Sequence, residues 1–280
     1  MYGIDASLKS LARPQEEGPD CPGLGISAAD LEDISCKQGL SLLDLEIRAL
    51  ELEIVPVKYF RNLQGFTVQE QLRLLRSSLA LVGLGGLGGV LLELLSRLGV
   101  GKIKAADGDI FAEHNLNRQL LCTMSSLGES KAGAASSRCR QVNPAVQLEI
   151  VPDFLQPEDY PDFLQGQDLV LDALGGLQVR QILQEQACKA GLAVVSAALA
   201  GEMGYVSTVF PGDPGPLAFW QGAAGAEEAL GCLPHAVFAV ASTQCAEAVH
   251  MLCGRESRLR GSMALLDLGD FSGVEILRLD

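Results

Sequence analysis

The stretch from Leu79 to Leu95, LALVGLGGLGGVLLELL, constrains the fold more than any other part of the chain. An apolar run typical of a buried strand leads into Gly83, Gly85 and Gly88, spaced G-x-G-x-x-G, and an apolar helical pattern follows directly. In such turns the first glycine permits the sharp turn, the second lets a phosphate approach the backbone, and the third packs helix against strand. The pattern predicts a nucleotide-binding turn, with a purely structural turn as the alternative.

Strands and helices alternate after this turn. We predict strands at 79–83, 102–107, 146–151, 168–172 and 193–197 and helices at 88–98, 130–142 and 177–190. Beyond residue 200 we expect a hairpin around 203–210, a helix over about 234–252 and two short C-terminal strands. This pattern indicates an α/β, Rossmann-like fold with a mostly parallel sheet, helices on both faces and C-terminal antiparallel strands. Its ligand crevice would lie at the carboxyl ends of the parallel strands.

The N-terminal part differs in composition. Residues 1–25 are rich in Pro, Gly and charge and are interpreted as a loose arm. Two helices are expected within 27–54, with Ser27 and Ser41 as N-caps and Gly39 between them. We therefore divide the chain into a flexible arm with a small helical add-on, 1–56, and a nucleotide-binding domain, 57–280.

Composition and charge exclude several classes of function. The formal charge of −14, with scattered Lys and Arg, argues against nucleic acid as the main partner. The longest apolar runs, about ten residues, fall short of the roughly 20 that cross a bilayer. The N-terminus lacks the apolar stretch of a secretory signal, so we expect a cytoplasmic protein without membrane contact. Eight cysteines without any C-x-x-C pair indicate reduced, mostly packed thiols.

A second group of residues narrows the choice of ligand. Asp107 ends the next strand, 19 residues after Gly88, where an acid commonly bonds ribose hydroxyls. Arg118 follows in the run NLNRQ, and Lys131 opens a helix. An Arg and a Lys that converge on a phosphate turn suit a triphosphate whose charge must be neutralised during attack. An NAD- or FAD-linked oxidoreductase would leave both cations unexplained.

Several motifs occur in the order that is typical of the ThiF/MoeB/HesA family, the bacterial relatives of ubiquitin-activating enzymes. They are GLGGLG at 83–88, DGD at 107–109, NLNRQ at 115–119, SK at 130–131, DLVLDA at 168–173 and STQCAEAVHMLCG at 242–254. The segment YFRN at 59–62 resembles the family's YNRQ start. The resemblance covers about 59–254 and leaves the helical add-on outside.

The resemblance implies an ATP- and Mg²⁺-dependent adenylyltransferase. Its substrate would be a ubiquitin-like sulfur carrier protein ending in Gly-Gly, of the molybdopterin or thiamine biosynthesis type, and the enzyme would be a homodimer. Arg61 would reach ATP across the subunit interface. The residues implied in catalysis are Arg61, Arg118, Lys131 and Asp172. Those implied in nucleotide binding are Gly83, Gly85, Gly86, Gly88, Asp107, Asp109, Asn115, Arg118 and Lys131.

The chain departs from the family at the magnesium position. The family pattern D-x-x-D-N reads DALGG here, so Asp172 keeps the first acid while Gly175 and Gly176 replace the second acid and the Asn. We assign magnesium to Asp172, which we expect to face the crevice, with Asp109 as the alternative, because Mg²⁺ needs only one or two carboxylates besides phosphate oxygens. A nucleotide-binding but catalytically impaired protein, acting as an interaction or regulatory module, is the alternative function.

Cysteine chemistry offers little further. The family often carries two C-x-x-C pairs that hold zinc, and their absence here predicts no zinc site. Cys232 lies just before a predicted helix, a position that favours a thiolate, so it is either a nucleophile or an ordinary packed thiol. Phe219 and Trp220 belong either to a buried lid or to a partner-binding patch.

Overall fold

The N-terminal segment folds into three helices and a small sheet. A computed structural model describes residues 2–14, 23–220, 229–270 and 273–279. The first elements are α1 (Tyr2–Leu11), β1 (Arg13–Pro14), β2 (Leu24–Ile26), α2 (Ala28–Gln38), α3 (Leu42–Glu51) and β3 (Ile54–Pro56). Strand β2 pairs antiparallel with β1 and parallel with β3. Ser27 and Ser41 cap α2 and α3 as predicted, because each hydroxyl accepts a hydrogen bond from the amide three residues on.

Helix α1 lies where the sequence predicted a loose arm. Leu8 is fully buried in a cluster with α2 and α3, and Asp5 forms an ion pair with Arg48 of α3 at 2.6 Å. The prediction was wrong for 2–11 because prolines, glycines and charges farther along dominate the composition of 1–25 and mask a short helical pattern. Residues 15–22 of that stretch lie outside the described part of the chain.

The central layer is an eight-stranded sheet. Its strands are β4 (Ser78–Val82), β5 (Lys102–Ala106), β6 (Gln147–Val151), β7 (Leu169–Asp172), β8 (Val194–Ala200), β9 (Met203–Val209), β10 (Ser262–Asp267) and β11 (Gly273–Arg278). The order is β11-β10-β9-β8-β7-β4-β5-β6. Five adjacent strands of this order, β8, β7, β4, β5 and β6, run parallel to one another. Strands β9, β10 and β11 pair antiparallel with their neighbours. The mostly parallel Rossmann-like sheet is therefore confirmed.

Helices cover both faces of this sheet. They are α4 (Val68–Arg76), α5 (Gly86–Leu98), α6 (Lys131–Val142), α7 (Tyr160–Leu164), α8 (Leu177–Lys189) and α9 (Pro234–Leu252). Leu79 and Leu81 of β4 pack in the cluster that holds α5 and α9, and Ala80 and Val82 pack in the cluster that holds α7 and α8. This alternation follows from the two-residue period of a strand. No helix among the described residues is long and apolar enough to cross a membrane.

The order in which the chain adds strands across the sheet reverses between β6 and β7. It runs from β4 outward to β6, then returns to place β7 on the other side of β4. The carboxyl ends of β4 and β7 therefore border a topological switch point, where open α/β sheets bind ligands.

The antiparallel part differs from the prediction in one element. The hairpin expected around 203–210 consists of β8 and β9, which pair along 194–200 and 203–209 with a turn at Gly201 and Glu202. Residues 203–209 thus form only the second strand of that hairpin, and its first strand is β8, which extends past the predicted end at 197 to Ala200. The helix over 234–252 and both C-terminal strands were predicted correctly.

Candidate nucleotide-binding site

A cleft of 670 Å³ opens at the carboxyl ends of the parallel strands. Its floor is the glycine turn after β4 and the segment after β7, so it occupies the switch point. Seven of the residues implied in binding or catalysis line it: Gly83, Gly85, Gly86, Asp107, Asp109, Arg118 and Lys131.

The glycine turn leaves no room for side chains at two positions. Gly83 has a φ of +96°, and a Cβ there would lie 2.5 Å from the Ala173 carbonyl oxygen. A Cβ on Gly88 would lie 1.9 Å from the Gly83 carbonyl oxygen. Gly85 is the N-cap of α5 and supplies no side-chain hydrogen bond. The first amides of α5 therefore offer donors and the positive end of the helix dipole to an anion in the cleft.

Asp107 ties the end of β5 to the glycine turn. Its Oδ2 accepts a hydrogen bond from the Leu84 amide at 2.7 Å, and its Oδ1 accepts one from the Asp109 amide at 2.9 Å. These bonds hold the carboxylate at the cleft beside the glycine turn. Each oxygen can accept a second hydrogen bond, so the carboxylate can still receive ribose hydroxyls.

Lys131 and Asp109 form an ion pair in the cleft. The Lys131 Nζ lies 2.6 Å from Asp109 Oδ2, and the Lys131 side chain is 7% exposed whereas that of Asp109 is 50% exposed. Burial raises the pKa of Asp109, but hydrogen bonds from Lys131 and the Ile110 amide, together with nearby positive charge, lower it more, so the pKa lies below its ordinary value. Arg118 also lines the cleft, where its Nη1 donates to the His114 carbonyl oxygen at 2.9 Å.

The remaining lining residues come from two groups of elements. Mostly apolar residues after β6 and β7 and in α7 and α8 form one group: Phe154, Leu155, Tyr160, Leu174, Leu177 and Val179. Residues of β8, β9 and β10, with the segment before α9, form the other: Ala198, Leu199, Ala200, Met203, Gly204, Cys232 and Leu265. The sequence reasoning missed Phe154 and Tyr160. Phe154 follows the carboxyl end of β6, and this position was the signal that marks it as a cleft residue.

Asp172 does not face the cleft, and that expectation was wrong. The residue is 0% exposed, and Arg180 of α8 forms a buried ion pair with it at 3.1 Å. Its Oδ2 also accepts a hydrogen bond from the Ser196 hydroxyl at 2.9 Å. The carboxylate turns inward because an unpaired buried guanidinium would be costly. Arg180 within a buried helix face was the sequence signal for this pairing.

Of the other predicted site residues, Cys232 lines the cleft, whereas Gly88, Asn115 and Arg61 lie around it. Gly88 supports the turn, and Asn115 is buried with its Oδ1 accepting a hydrogen bond from the Ala112 amide at 2.9 Å. Arg61 is exposed and does not line this cleft. Cys232 does line it, and its carbonyl oxygen accepts a hydrogen bond from Asn117 at 3.2 Å. The Phe219 and Trp220 side chains lie outside the described residues.

Comparison with known proteins identifies the family. The ThiF family profile matches residues 59–280, which include the sheet and every cleft residue named above. The chain belongs to the ThiF family. Its N-terminal segment up to residue 58 lies outside the ThiF match.

Two of three curated relatives are adenylyltransferases by name. The sulfur carrier protein adenylyltransferase of Thermus thermophilus is 34% identical over 213 residues, which cover 70% of this chain and 77% of that protein. Adenylyltransferase and sulfurtransferase MOCS3 of Mus musculus is 31% identical and HesA of Leptolyngbya boryana 30% identical. The chain spans 45% of MOCS3 and 62% of HesA, less than two thirds of either.

Solved structures show the same fold at low sequence identity. E. coli MccB, solved with ATP, is 15% identical with a TM-score of 0.67, and the match covers 79% of this chain and 70% of MccB. PaaA is 18% identical with a TM-score of 0.65, and that match covers 99% of this chain and 81% of PaaA. The PaaA match therefore includes nearly all of the N-terminal segment that the ThiF profile does not reach.

Proposed function

We propose that the protein is an ATP-dependent adenylyltransferase that activates the C-terminal glycine of a ubiquitin-like sulfur carrier protein. One observation carries the proposal: the α5 N-terminus, Arg118, Lys131 and the ribose-type acid Asp107 converge on one cleft. The Thermus thermophilus relative, a sulfur carrier protein adenylyltransferase, supports the same reaction class.

The reaction joins two anions, so charge neutralisation dominates its catalysis. The carrier's terminal carboxylate attacks the α-phosphorus of ATP, a P–O bond forms, and pyrophosphate leaves with its electron pair. Arg118 and Lys131 stabilise the negative charge on the phosphates, and the first amides of α5 orient them. The carrier's narrow Gly-Gly tail would enter the cleft beside Cys232 and Leu265, which line it. We further propose that the enzyme is a homodimer in which Arg61 of the partner subunit reaches the phosphates.

Magnesium fits Asp109 better than Asp172. Asp109 presents a half-exposed carboxylate in the cleft, whereas Asp172 is fully buried and forms an ion pair with Arg180. No group of three His, Cys, Asp or Glu side chains within the described ranges has the arrangement of a metal site. One carboxylate together with phosphate oxygens and water is sufficient for Mg²⁺. Asp109 would hold the ion, which would neutralise phosphate charge, and Lys131 would then leave Asp109 and contact the nucleotide.

A second candidate function has an observation in its favour. Gly175 and Gly176 line the cleft where the family carries an acid and an amide, and Asp172 does not replace them. The chain would then bind nucleotide without turnover and act as an interaction or regulatory module. A thiol role for Cys232 after activation, as thioester or persulfide, would apply only to the active form.

Carrier-dependent exchange of labelled pyrophosphate into ATP separates the two candidates. The assay uses each Gly-Gly-ended ubiquitin-like protein encoded in the same genome. The adenylyltransferase proposal expects exchange by the wild type that Asp109→Asn lowers at least tenfold, since the variant removes the cleft carboxylate. If the wild type shows no exchange and Gly175→Asp creates it, nucleotide binding without turnover is the better account.

A further inference from the structure

Gln119 is a buried polar residue of the cleft whose side chain has an unsatisfied acceptor. The residue is 7% exposed and lines the cleft, and its Oε1 is shielded from solvent without any hydrogen-bond donor in the described residues. Buried polar atoms are nearly always paired, because an unpaired one loses its hydrogen bonds to water without replacement. The unpaired oxygen lowers the stability of the fold, which implies that the side-chain amide of Gln119 has a role other than stabilising the fold.

The backbone does not explain why the amide is there. The Gln119 amide donates to the Asn115 carbonyl oxygen at 2.9 Å, and the Gln119 carbonyl oxygen accepts from the Cys122 amide at 2.9 Å. This turn would form equally well with an apolar side chain at position 119, because both bonds use the main chain. The glutamine therefore contributes only through its side-chain amide.

The nitrogen end of that amide lies at the start of α5. Gln119 Nε2 is 3.5 Å from the point where a Cβ of Gly85 would stand, and the amide carbon is 3.8 Å from the same point. Oε1 lies beyond 4 Å from it. Gly85 is the N-cap of α5, so the N–H₂ group joins the helix amides at the place that favours an anion.

We propose that Gln119 is a nucleotide-contacting residue, whose Nε2 donates a hydrogen bond to a phosphate oxygen seated on the α5 N-terminus. The inference rests on the proposed ATP site and adds a neutral donor to its two cations. The neighbouring guanidinium of Arg118 is held by His114 and Asn117, so it does not already occupy this position. Phosphate oxygens accept hydrogen bonds only, which matches Nε2 and explains why Oε1 is the end left inside.

The geometry predicts opposite effects on stability and on binding for Gln119→Met. Methionine has a similar length and no polar hydrogen, so it removes both the phosphate donor and the unpaired Oε1. The unliganded protein should therefore unfold at a temperature equal to or above that of the wild type. ATP should bind about ten- to a hundred-fold more weakly, the range for a hydrogen bond to a charged group. Adenosine, which lacks phosphates, should bind with unchanged affinity.

Isothermal titration calorimetry with ATP and adenosine, combined with thermal unfolding, tests the proposal. Gln141→Met, on the exposed face of α6, is the matched control and should change neither affinity. Gln119→Glu is the second variant: it keeps the side-chain length and places a carboxylate beside the phosphates, so it should weaken ATP binding more than Gln119→Met does. Wild-type ATP affinity in both Gln119 variants would overturn the contact while leaving the adenylyltransferase proposal intact.

Two further outcomes are informative. If Gln119→Met weakens ATP and adenosine equally and also lowers the unfolding temperature, Gln119 has a structural role and the phosphate contact is wrong. If the wild type itself fails to bind ATP, the proposed function fails, and this inference fails with it.

Discussion

A carboxylate at a strand end can either face the ligand crevice or turn inward and stabilise the fold, and the Asp172–Arg180 pair is an example of the second role. Such a position normally presents a side chain to the ligand crevice, and the sequence prediction used that rule. Here the carboxylate turns inward to Arg180 and Ser196. The residue therefore holds β7, β8 and α8 together beneath the cleft, and its effect on nucleotide chemistry is indirect.

Asp172→Asn should accordingly destabilise the fold. The substitution leaves the Arg180 guanidinium buried without a counter-charge, which costs about 3–5 kcal/mol. Urea denaturation followed by circular dichroism would measure the loss of unfolding free energy. Asp153→Asn, an exposed acid that lines the same cleft, is the control and should change stability little. A stable Asp172→Asn protein whose ATP binding loses its magnesium dependence would restore the metal assignment to Asp172.

The sequence predicted those site residues whose place in the cleft depends only on the strand or helix that they follow or begin. Gly83, Asp107 and Lys131 each follow or begin an element, so position along the chain was enough to place them at the cleft. The direction of the Asp172 side chain depends on Arg180 and Ser196, which reach it from α8 and β8. Arg180 on the apolar face of α8 indicates that a buried acid pairs with it, but no spacing in a single sequence identifies which acid. Phe154 was missed although its position after the carboxyl end of β6 marked it, and Tyr160 was missed because α7, which it begins, was not predicted.

At the scale of elements, the turn between β4 and α5 fixes the geometry of the cleft. Gly88 brings the first turn of α5 against the Gly83 carbonyl with no space for a methyl group. Helix α5 in turn packs along α9, whose Val237 side chain lies 3.3 Å from the Cβ position of Gly86. A shift of this helix would therefore move the amides that face the ligand.

Gly88→Ala tests this close packing. The added Cβ would overlap backbone, which cannot move aside as a flexible side chain can, so we expect a loss of about 1–3 kcal/mol in unfolding free energy. Gly133→Ala in α6 is the matched control, since the new Cβ would approach only the Ser130 Cβ at 3.8 Å. Alanine should leave that helix equally or more stable. Equal stability of the two variants in urea denaturation would contradict the packing argument.

Element prediction worked where the hydrophobic period was long and failed where an element was short. Helix α9, with its apolar residues and Pro234 at its first turn, was placed at both ends from the sequence. Helix α1 spans only 10 residues beside a Pro- and Gly-rich segment, and tertiary burial of Leu8 rather than local pattern stabilises it.

At the scale of the whole molecule, a buried polar network joins the N-terminal segment to the α/β domain. Glu46 of α3 lies 2.5 Å from Lys58 Nζ and accepts a hydrogen bond from the Tyr59 hydroxyl at 2.9 Å. Asn143, after α6, donates to the same hydroxyl at 3.0 Å. Residues on both sides of the predicted boundary at 56 and 57 therefore share one set of hydrogen bonds, and that division stays a prediction.

This network predicts a pH dependence of stability. Burial raises the pKa of Glu46 above 4.5, although Lys58 and Tyr59 lower it in part. A carboxyl group whose folded-state pKa exceeds its unfolded value favours folding below the unfolded value, and this contribution is lost as pH rises through the folded value. Glu46→Gln should therefore flatten the slope of unfolding free energy against pH just above 4.5. Glu32→Gln, on the exposed surface of α2, should retain the wild-type slope.

The central claim is that the cleft joins a carrier's terminal carboxylate to the α-phosphorus of ATP. The most direct measurement follows ¹⁸O from a Gly-Gly-ended carrier labelled in its terminal carboxylate. After reaction with ATP and Mg²⁺ and cleavage of the product by hydroxylamine, mass spectrometry should find one ¹⁸O in AMP and none in pyrophosphate. AMP without ¹⁸O, or formation of ADP and labelled phosphate in its place, would contradict the account.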